Sequence, residues 1–239
     1  MSKVIAVFGA GTGLGVSVGR RFGREGYRVA LIARREQQLN ELVETLGTEG
    51  IEAAAFPADL RDPAGVPALV RAITDRWGRI DVVEYAPITT ELFTPAAELT
   101  AADFAPLVSL YLYTPVEVVR AVLPGMIERG DGAILVGQGP TAVHAIPFRS
   151  GVGPAMAAGR NYFGSLHGEV ADKGVYVGAL TISALIAGSA GHRVLTSGEV
   201  ETGMDLSKIP TVDPADLADL LWTMAIKRDQ AEAAFPLSR

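Results

Sequence analysis

Short apolar runs alternate with helical patterns along the chain. The first run, Val4–Phe8, is too short for a helix and rich in branched residues, which is typical of a buried parallel strand. Leu14, Val18 and Phe22 then recur at four-residue spacing on one helix face, and a second apolar run covers residues 29–32. A strand, a crossover helix and a second strand within about thirty residues predict a parallel β-α-β unit.

The same alternation continues towards the end of the chain. Further strands are predicted at residues 51–56, 80–83, 132–136 and 177–182, with an edge strand at 231–237. Amphipathic helices separate these strands. The pattern predicts an α/β fold in one domain that covers residues 1–239.

Glycines fill the turn between the first strand and its helix. Backbone N–H groups at a helix start have no partner and the helix dipole is positive there, so a pyrophosphate is bound favourably. Glycines let phosphate oxygens approach the backbone closely. A tight turn without a ligand is the competing interpretation. The predicted contacts are Gly9, Gly11, Thr12, Gly13, Leu14 and Gly15.

Cations follow the second strand, where an acidic residue would be typical of an NAD site. Arg34 and Arg35 stand there, and arginine offers a planar fork of donors to phosphate. We therefore predict NADP(H) in preference to NAD(H), the alternative being an ordinary solvated helix start. Asp59 and Leu60 follow the third strand, where the Asp59 carboxylate can accept a hydrogen bond from an adenine amino group. Asp62, which precedes a proline, is the better helix cap.

Composition narrows the classes of partner. The net charge of −6 gives no general attraction to nucleic acid or to an anionic membrane. The chain has no cysteine and only three histidines without the spacing of a zinc motif, so a metal site is not expected. The chain runs directly into its first strand, from which we predict a cytoplasmic protein whose partner is a small molecule.

Several stretches resemble the short-chain dehydrogenases/reductases: the glycine-rich turn, Asp59, and residues 121–126, 132–136 and 213–218. The resemblance covers nearly the whole chain. It implies a Rossmann-type, doubly wound parallel sheet of about seven strands with helices on both faces, a bound nicotinamide dinucleotide, and a homodimer or homotetramer. Ala86 matches the one residue kept from the family's N-N-A-G stretch and joins the predicted cofactor contacts.

The resemblance also implies a catalytic Ser, Tyr and Lys with a supporting Asn, and this chain departs from it at all four positions. Gly139 stands at the Ser, Val152 at the Tyr, Met156 at the Lys and Ser109 at the Asn, and no Tyr-x-x-x-Lys occurs anywhere. Losing a general acid costs roughly 10²- to 10⁴-fold in rate. We therefore expect ordinary ketoreductase activity to be very weak or absent. Val152 and Met156 instead supply an apolar wall, which is suited to an apolar ligand.

Other residues could take over the proton chemistry. His144 is the first candidate because a histidine donates or accepts protons near neutral pH, although an exposed loop histidine is the competing interpretation. Gln138, Tyr85 and Ser109 are further candidates. Pro115 is expected to bend its helix, and residues 187–210 are predicted to form a mobile lid.

Three functions remain open. The first is an NADP(H)-binding enzyme of redox-neutral type, an isomerase or cyclase acting on a small apolar substrate. The second is a non-catalytic subunit that partners an active homologue in a hetero-oligomer. The third is an NADPH-dependent oxidoreductase whose proton donor has moved to His144.

Overall fold

The computed structural model describes residues 2–89, 93–197 and 205–236. The strands are β1 Val4–Phe8, β2 Arg28–Ala33, β3 Ala53–Pro57, β4 Val82–Tyr85, β5 Gly132–Gln138, β6 Val175–Ile182, β7 Leu185–Ile186, β8 Thr211–Val212 and β9 Glu232–Phe235. The α-helices are α1 Leu14–Gly23, α2 Glu36–Thr48, α3 Val66–Trp77, α4 Ala101–Val108, α5 Thr114–Arg129, α6 Val152–Val170, α7 Ala190–Thr196 and α8 Pro214–Lys227.

Seven of the strands form one sheet in the order β3-β2-β1-β4-β5-β6-β9, and every neighbouring pair is parallel. β7 and β8 pair separately as a short parallel ribbon. The predicted strand count and the predicted edge strand near the end of the chain are both confirmed. The chain order reverses beside β1, so a crevice opens between the carboxyl ends of β1 and β4, where α/β sheets bind ligands.

Apolar side chains cover both faces of the sheet. One buried cluster joins the sheet to α3, α5 and α6, and the other joins it to α1, α2 and α8. The alternation of side chains along each strand supplies residues to both clusters in turn. Val82 therefore faces α1 and α8, whereas Val83 and Tyr85 face α5 and α6. This arrangement confirms the predicted doubly wound fold.

Two strands end two residues later than the sequence pattern predicts. β4 is predicted at residues 80–83 and lies at Val82–Tyr85, and β5 is predicted to end at residue 136 and continues through Gln138. Glu84 and Gln138 are polar residues that interrupt the apolar runs, yet both are buried inside their strands. A hydropathy pattern ends a buried strand at such a residue, which explains the difference.

The helical stretch 101–129, in which Pro115 is expected to cause a bend, is interrupted before that proline. A π-helical segment, Ser109–Tyr113, separates α4 from α5, and a proline at 115 cannot donate a hydrogen bond to the carbonyl of Tyr111. That carbonyl oxygen lies against α6, where a Cβ on Gly159 would be 2.3 Å from it. By length and composition the stretch could cross a membrane, but here it packs between α3 and α6 as a core helix does.

Candidate functional site

The turn after β1 leaves several backbone amides available. Gly9 and Ala10 both donate to the Ile32 carbonyl oxygen at 2.9 Å, whereas the amides of residues 11–15 donate to no acceptor in the described part of the chain. Gly9 has φ +100°, and a Cβ there would lie 2.6 Å from Pro87 Cα. The first turn of α1 carries no acidic residue. Unpaired amides at a helix start without a nearby carboxylate fit a phosphate group.

Two cations stand at the carboxyl end of β2. Arg34 and Arg35 are exposed, and neither side chain forms an ion pair or hydrogen bond with another residue in the ranges described above. Arg35 has extended backbone and precedes α2. The side chains are therefore available to a phosphate beside the ribose of a dinucleotide.

The end of β3 separates the roles of its two aspartates. Asp62 accepts a hydrogen bond from the Ala64 amide at 3.1 Å and so caps the helical turn before α3, as expected. Asp59 is exposed, and its Oδ1 accepts from the Arg61 amide at 2.9 Å. A hollow of about 410 Å³ lies between the end of β3 and α3, and its walls include Asp59 and Leu60.

A small cavity lies at the carboxyl ends of β4 and β5, facing α6. Its volume of about 20 Å³ is enough for about one water molecule. The cavity is too small to enclose an organic ligand. The lining residues are Tyr85, Pro87, Tyr111, Val136, Gly137, Gln138, Met156, Gly159, Arg160 and Phe163.

Tyr85 and Gln138, two of the four candidate catalytic residues, meet in this cavity, and both are engaged. The Tyr85 hydroxyl donates to the Leu110 carbonyl oxygen at 2.5 Å, and burial raises the pKa of Tyr85 well above its usual range, with Tyr111 adding to the rise. The Gln138 Nε2 donates to Thr181 Oγ1 at 3.1 Å. Tyr85 is therefore a hydrogen-bond donor that holds its proton tightly, which is the reverse of an activated acid.

Gly139 after β5 and Met156 of α6 lie side by side next to the cavity, and Val152 is on the same helix as Met156. A Cβ on Gly139 would lie 3.9 Å from the sulfur of Met156 and 3.7 Å from Thr141 Oγ1. The Thr141 hydroxyl donates weakly to that sulfur at 3.7 Å. Val152 is buried on the same face of α6 as Met156, one helical turn earlier. The result is an apolar surface with one hydroxyl group in it.

The other two candidate catalytic residues do not line this cavity. His144 is exposed on the loop after β5, where its amide donates to the Pro140 carbonyl oxygen at 2.9 Å. Ser109 is half-buried at the start of the π-helical segment. Ala86 lies in the crevice between β1 and β4, where its amide donates to the Phe8 carbonyl oxygen at 3.1 Å. Of the predicted lid, residues 198–204 lie outside the described residues.

Glu84 lies inside β4 with its side chain on the opposite face of the sheet from the cavity. Both carboxyl oxygens are buried and have no hydrogen-bond partner among the described residues. Burial raises the pKa of Glu84 to about 8. The group is therefore a protonated core residue at neutral pH.

A comparison with protein-family models matches residues 3–189 to the family described as short chain dehydrogenase. The chain belongs to the short-chain dehydrogenase family. A curated relative, dehydrogenase/reductase SDR family member 7B of Danio rerio, is 28% identical over an alignment of 240 positions that covers 95% of this chain and 75% of that protein.

Two solved structures share the fold over nearly the whole chain. A single-residue variant of actinorhodin polyketide ketoreductase with NADPH has a TM-score of 0.84 at 24% identity, over 98% of this chain and 94% of that one. An NADPH-bound short-chain oxidoreductase from Pseudomonas aeruginosa, described as containing an atypical catalytic center, has a TM-score of 0.82 at 22% identity, over 99% and 97%. At these identities the likeness establishes the fold.

Sequence reasoning missed two polar side chains beside the cavity. Arg160 pairs through Nη2 with Glu232 at 2.8 Å, and its buried Nε has no partner among the described residues. Its spacing signalled it, because it follows Met156 by one helical turn. Thr141 had no such signal, since a one-turn 3₁₀ helix, Pro140–Ala142, places it.

Proposed function

We propose that this short-chain dehydrogenase binds NADP(H) but lacks the family's ordinary hydride-transfer machinery. Its reaction is redox-neutral, of the isomerase or cyclase type, on a small apolar substrate. The observation that carries the proposal is the apolar surface beside the cavity, where Gly139 faces the Met156 sulfur and Val152 lies one turn earlier on α6.

The turn after β1 fits the diphosphate of a dinucleotide because the amides of residues 11–15 are unpaired. Arg34 would contact the 2′-phosphate from the end of β2, and Asp59 would accept from the adenine amino group beside the hollow at β3. The two solved relatives described above were determined with NADPH, which supports the same choice here.

The chain's own residues near the cavity would bind and orient a substrate, and they do not supply a general acid. When bound, the nicotinamide of NADPH offers a hydride, but a ketone also needs a proton for the developing alkoxide. Val152 and Met156 cannot donate one, and the Tyr85 proton is held by burial and by the Leu110 carbonyl oxygen. Reduction is therefore slow, roughly 10²- to 10⁴-fold below relatives with an intact general acid.

An apolar substrate would lie at the mouth of the cavity against Met156, which packs on the buried cluster that contains Val152. The Thr141 hydroxyl and the Gln138 amide then orient one polar group of the substrate. The Thr141 hydrogen bond to Met156 is weak, and the Gln138 hydrogen bond to Thr181 joins two uncharged groups. Both can therefore be exchanged for hydrogen bonds to a substrate oxygen.

A second candidate is an oxidoreductase with a relocated proton donor. The Pseudomonas aeruginosa relative favours it, since that protein is described as an oxidoreductase in spite of an atypical catalytic center. His144 is the donor that this alternative requires.

We further expect a homodimer or homotetramer in the cytoplasm, or a hetero-oligomer with an active homologue. Tyr113 and Ile127 are exposed apolar residues on or beside α5 and support a contact there. Light scattering of the purified protein measures the oligomeric state, and a monomer at all concentrations would contradict it.

The decisive experiment separates binding from turnover. Calorimetry with NADPH and NADH tests the cofactor site, and absorbance at 340 nm tests NADPH consumption with a panel of small ketones. Proton NMR in deuterated buffer, with NADPH present and a panel of apolar enones and enols, detects isomerisation or cyclisation. Binding with isomerisation and without consumption supports the proposal. Consumption that His144→Ala abolishes supports the second candidate, and no binding of either cofactor contradicts both.

A further inference from the structure

The segment after β6 lies directly on the glycine-rich turn. The Thr12 hydroxyl donates to the Gly188 carbonyl oxygen at 2.7 Å, and a Cβ on Gly13 would lie 2.7 Å from the Cβ of Ser189. From α7, Arg193 Nη1 donates to the same Gly188 oxygen at 2.7 Å and to Thr12 Oγ1 at 3.3 Å. A guanidinium group is thus held at the rim of the turn.

The fold fixes this position. β7 and β8 pair immediately before α7, and the Ala187 amide donates to the Val212 carbonyl oxygen at 2.9 Å. Ser189 then caps α7 by accepting from the His192 amide at 3.0 Å. The ribbon and the cap place Gly188 and Arg193 over the turn before any ligand arrives.

Most N–H groups of the Arg193 guanidinium make no hydrogen bond to a described residue. Arg193 is exposed and donates only through Nη1, so the N–H groups of Nε and Nη2 remain available to a ligand. The neighbouring amides of residues 11–15 are unpaired, and the first turn of α1 has no acidic residue. An anion seated on these amides would therefore meet a planar fork of donors and a full positive charge.

We propose that Arg193 binds the diphosphate of the dinucleotide and sets the affinity that NADPH and NADH share. The inference rests on the proposed function, because it assigns a residue to the cofactor site proposed there. On binding, the guanidinium exchanges its contact with Thr12 for a phosphate oxygen and keeps its bond to Gly188.

Arg193 and Arg34 then contact different phosphate groups of the cofactor. Arg34 follows β2 and would contact the 2′-phosphate, which only NADP(H) carries, whereas Arg193 stands on the turn that receives the diphosphate of both cofactors. Loss of Arg34 changes the choice of cofactor, and loss of Arg193 changes the strength of binding without changing the choice.

The test compares Arg193→Ala, Arg193→Lys and Lys208→Ala with the wild type. Lys208 is a cation of the same segment, exposed and paired with Asp205, so it is the matched control for charge. Calorimetry measures the Kd of NADPH, of NADH and of adenosine 2′-monophosphate, which lacks the diphosphate. Thermal unfolding of each variant confirms that it folds.

Arg193→Ala should weaken NADPH and NADH by the same factor, roughly tenfold or more for one charge-assisted contact, and leave adenosine 2′-monophosphate and the NADPH-to-NADH ratio unchanged. Arg193→Lys should lose part of that factor, and Lys208→Ala none. Unchanged binding of both dinucleotides by Arg193→Ala, or a loss confined to NADPH, overturns the inference while the proposed function stands. A wild type that binds neither dinucleotide overturns both.

Discussion

The folded protein should lose stability as the pH rises because of Glu84. Its side chain lies in β4 between Val7 of β1 and Leu135 of β5, facing the apolar layer of α1 and α8. Both oxygens are buried without a partner among the described residues, and burial alone raises the pKa to about 8 from 4.5. An unpaired buried carboxylate is costly, so the group stays protonated in the folded state.

The direction and size of the change in the free energy of unfolding follow from proton linkage. Glu84 has a higher pKa folded than unfolded, so its contribution is fully present below the unfolded pKa of 4.5 and is lost as the pH rises towards 8. At about 1.4 kcal/mol per pKa unit, the loss between about pH 5 and pH 8 is about 4 kcal/mol. That is a large part of the 5–15 kcal/mol, roughly, that stabilises a typical domain.

Glu84→Gln removes the titration and keeps the shape of the side chain. Urea unfolding, followed by the fluorescence of the two tryptophans, gives the free energy of unfolding from about pH 5 to pH 8. The variant should match the wild type within about 1 kcal/mol at the acidic end and exceed it by about 4 kcal/mol at the basic end. Glu44→Gln, at an exposed glutamate of α2, is the control and should follow the wild type. Parallel curves for the wild type and Glu84→Gln would show that Glu84 does not cause the loss of stability at high pH.

Three further predictions concern the candidate site. Gly9→Ala should lower the free energy of unfolding in urea by at least about 2 kcal/mol and weaken NADPH binding, because Gly9 has φ +100° and a close backbone neighbour. The control Gly47→Ala, with open space around it, should be neutral or stabilising by up to about 1 kcal/mol. Equal effects of the two variants would contradict this. Tyr85→Phe should lower the free energy of unfolding by about 1–2 kcal/mol, because it removes the hydrogen bond to the Leu110 carbonyl oxygen. Its NADPH affinity, measured by calorimetry, should change less than about threefold. A larger loss of affinity would place the hydroxyl on the cofactor. Arg34→Ala should weaken NADPH at least about tenfold in calorimetry and leave NADH unchanged, whereas equal losses for both would remove Arg34 from the 2′-phosphate.

Periodicity predicted the sheet because a doubly wound fold repeats one unit. Each buried strand is a short apolar run, and each helix shows one apolar stripe, as Leu39, Leu42 and Leu46 do in α2. Strand ends were harder to place. Glu84 and Gln138 are polar in sequence and buried in the structure, because a neutral acid and a hydrogen-bonded amide can occupy a strand that hydropathy would end.

The site was predictable where local geometry defines it. The glycine-rich turn and the arginines after β2 are contiguous in the chain, so their positions follow from a strand, a turn and a helix. Thr141 and Arg193 reach the site through a one-turn helix and a short ribbon, which only the tertiary structure places. The expected convergence of Gly139 and Met156 rested on the family resemblance, and their distances show the two residues side by side.

The most direct test of the account is NADPH oxidation at 340 nm by the purified protein with a panel of ketones, on samples whose NADPH binding calorimetry has already shown. Gly15→Val, which places a Cβ 2.8 Å from Ala10 Cα, should abolish binding and serves as the control for contaminating reductases. The protein should bind NADPH tightly and turn over ketones at least about 10²-fold below ordinary rates. Turnover in the usual range of roughly 1–10³ s⁻¹, lost in the control variant, would contradict it.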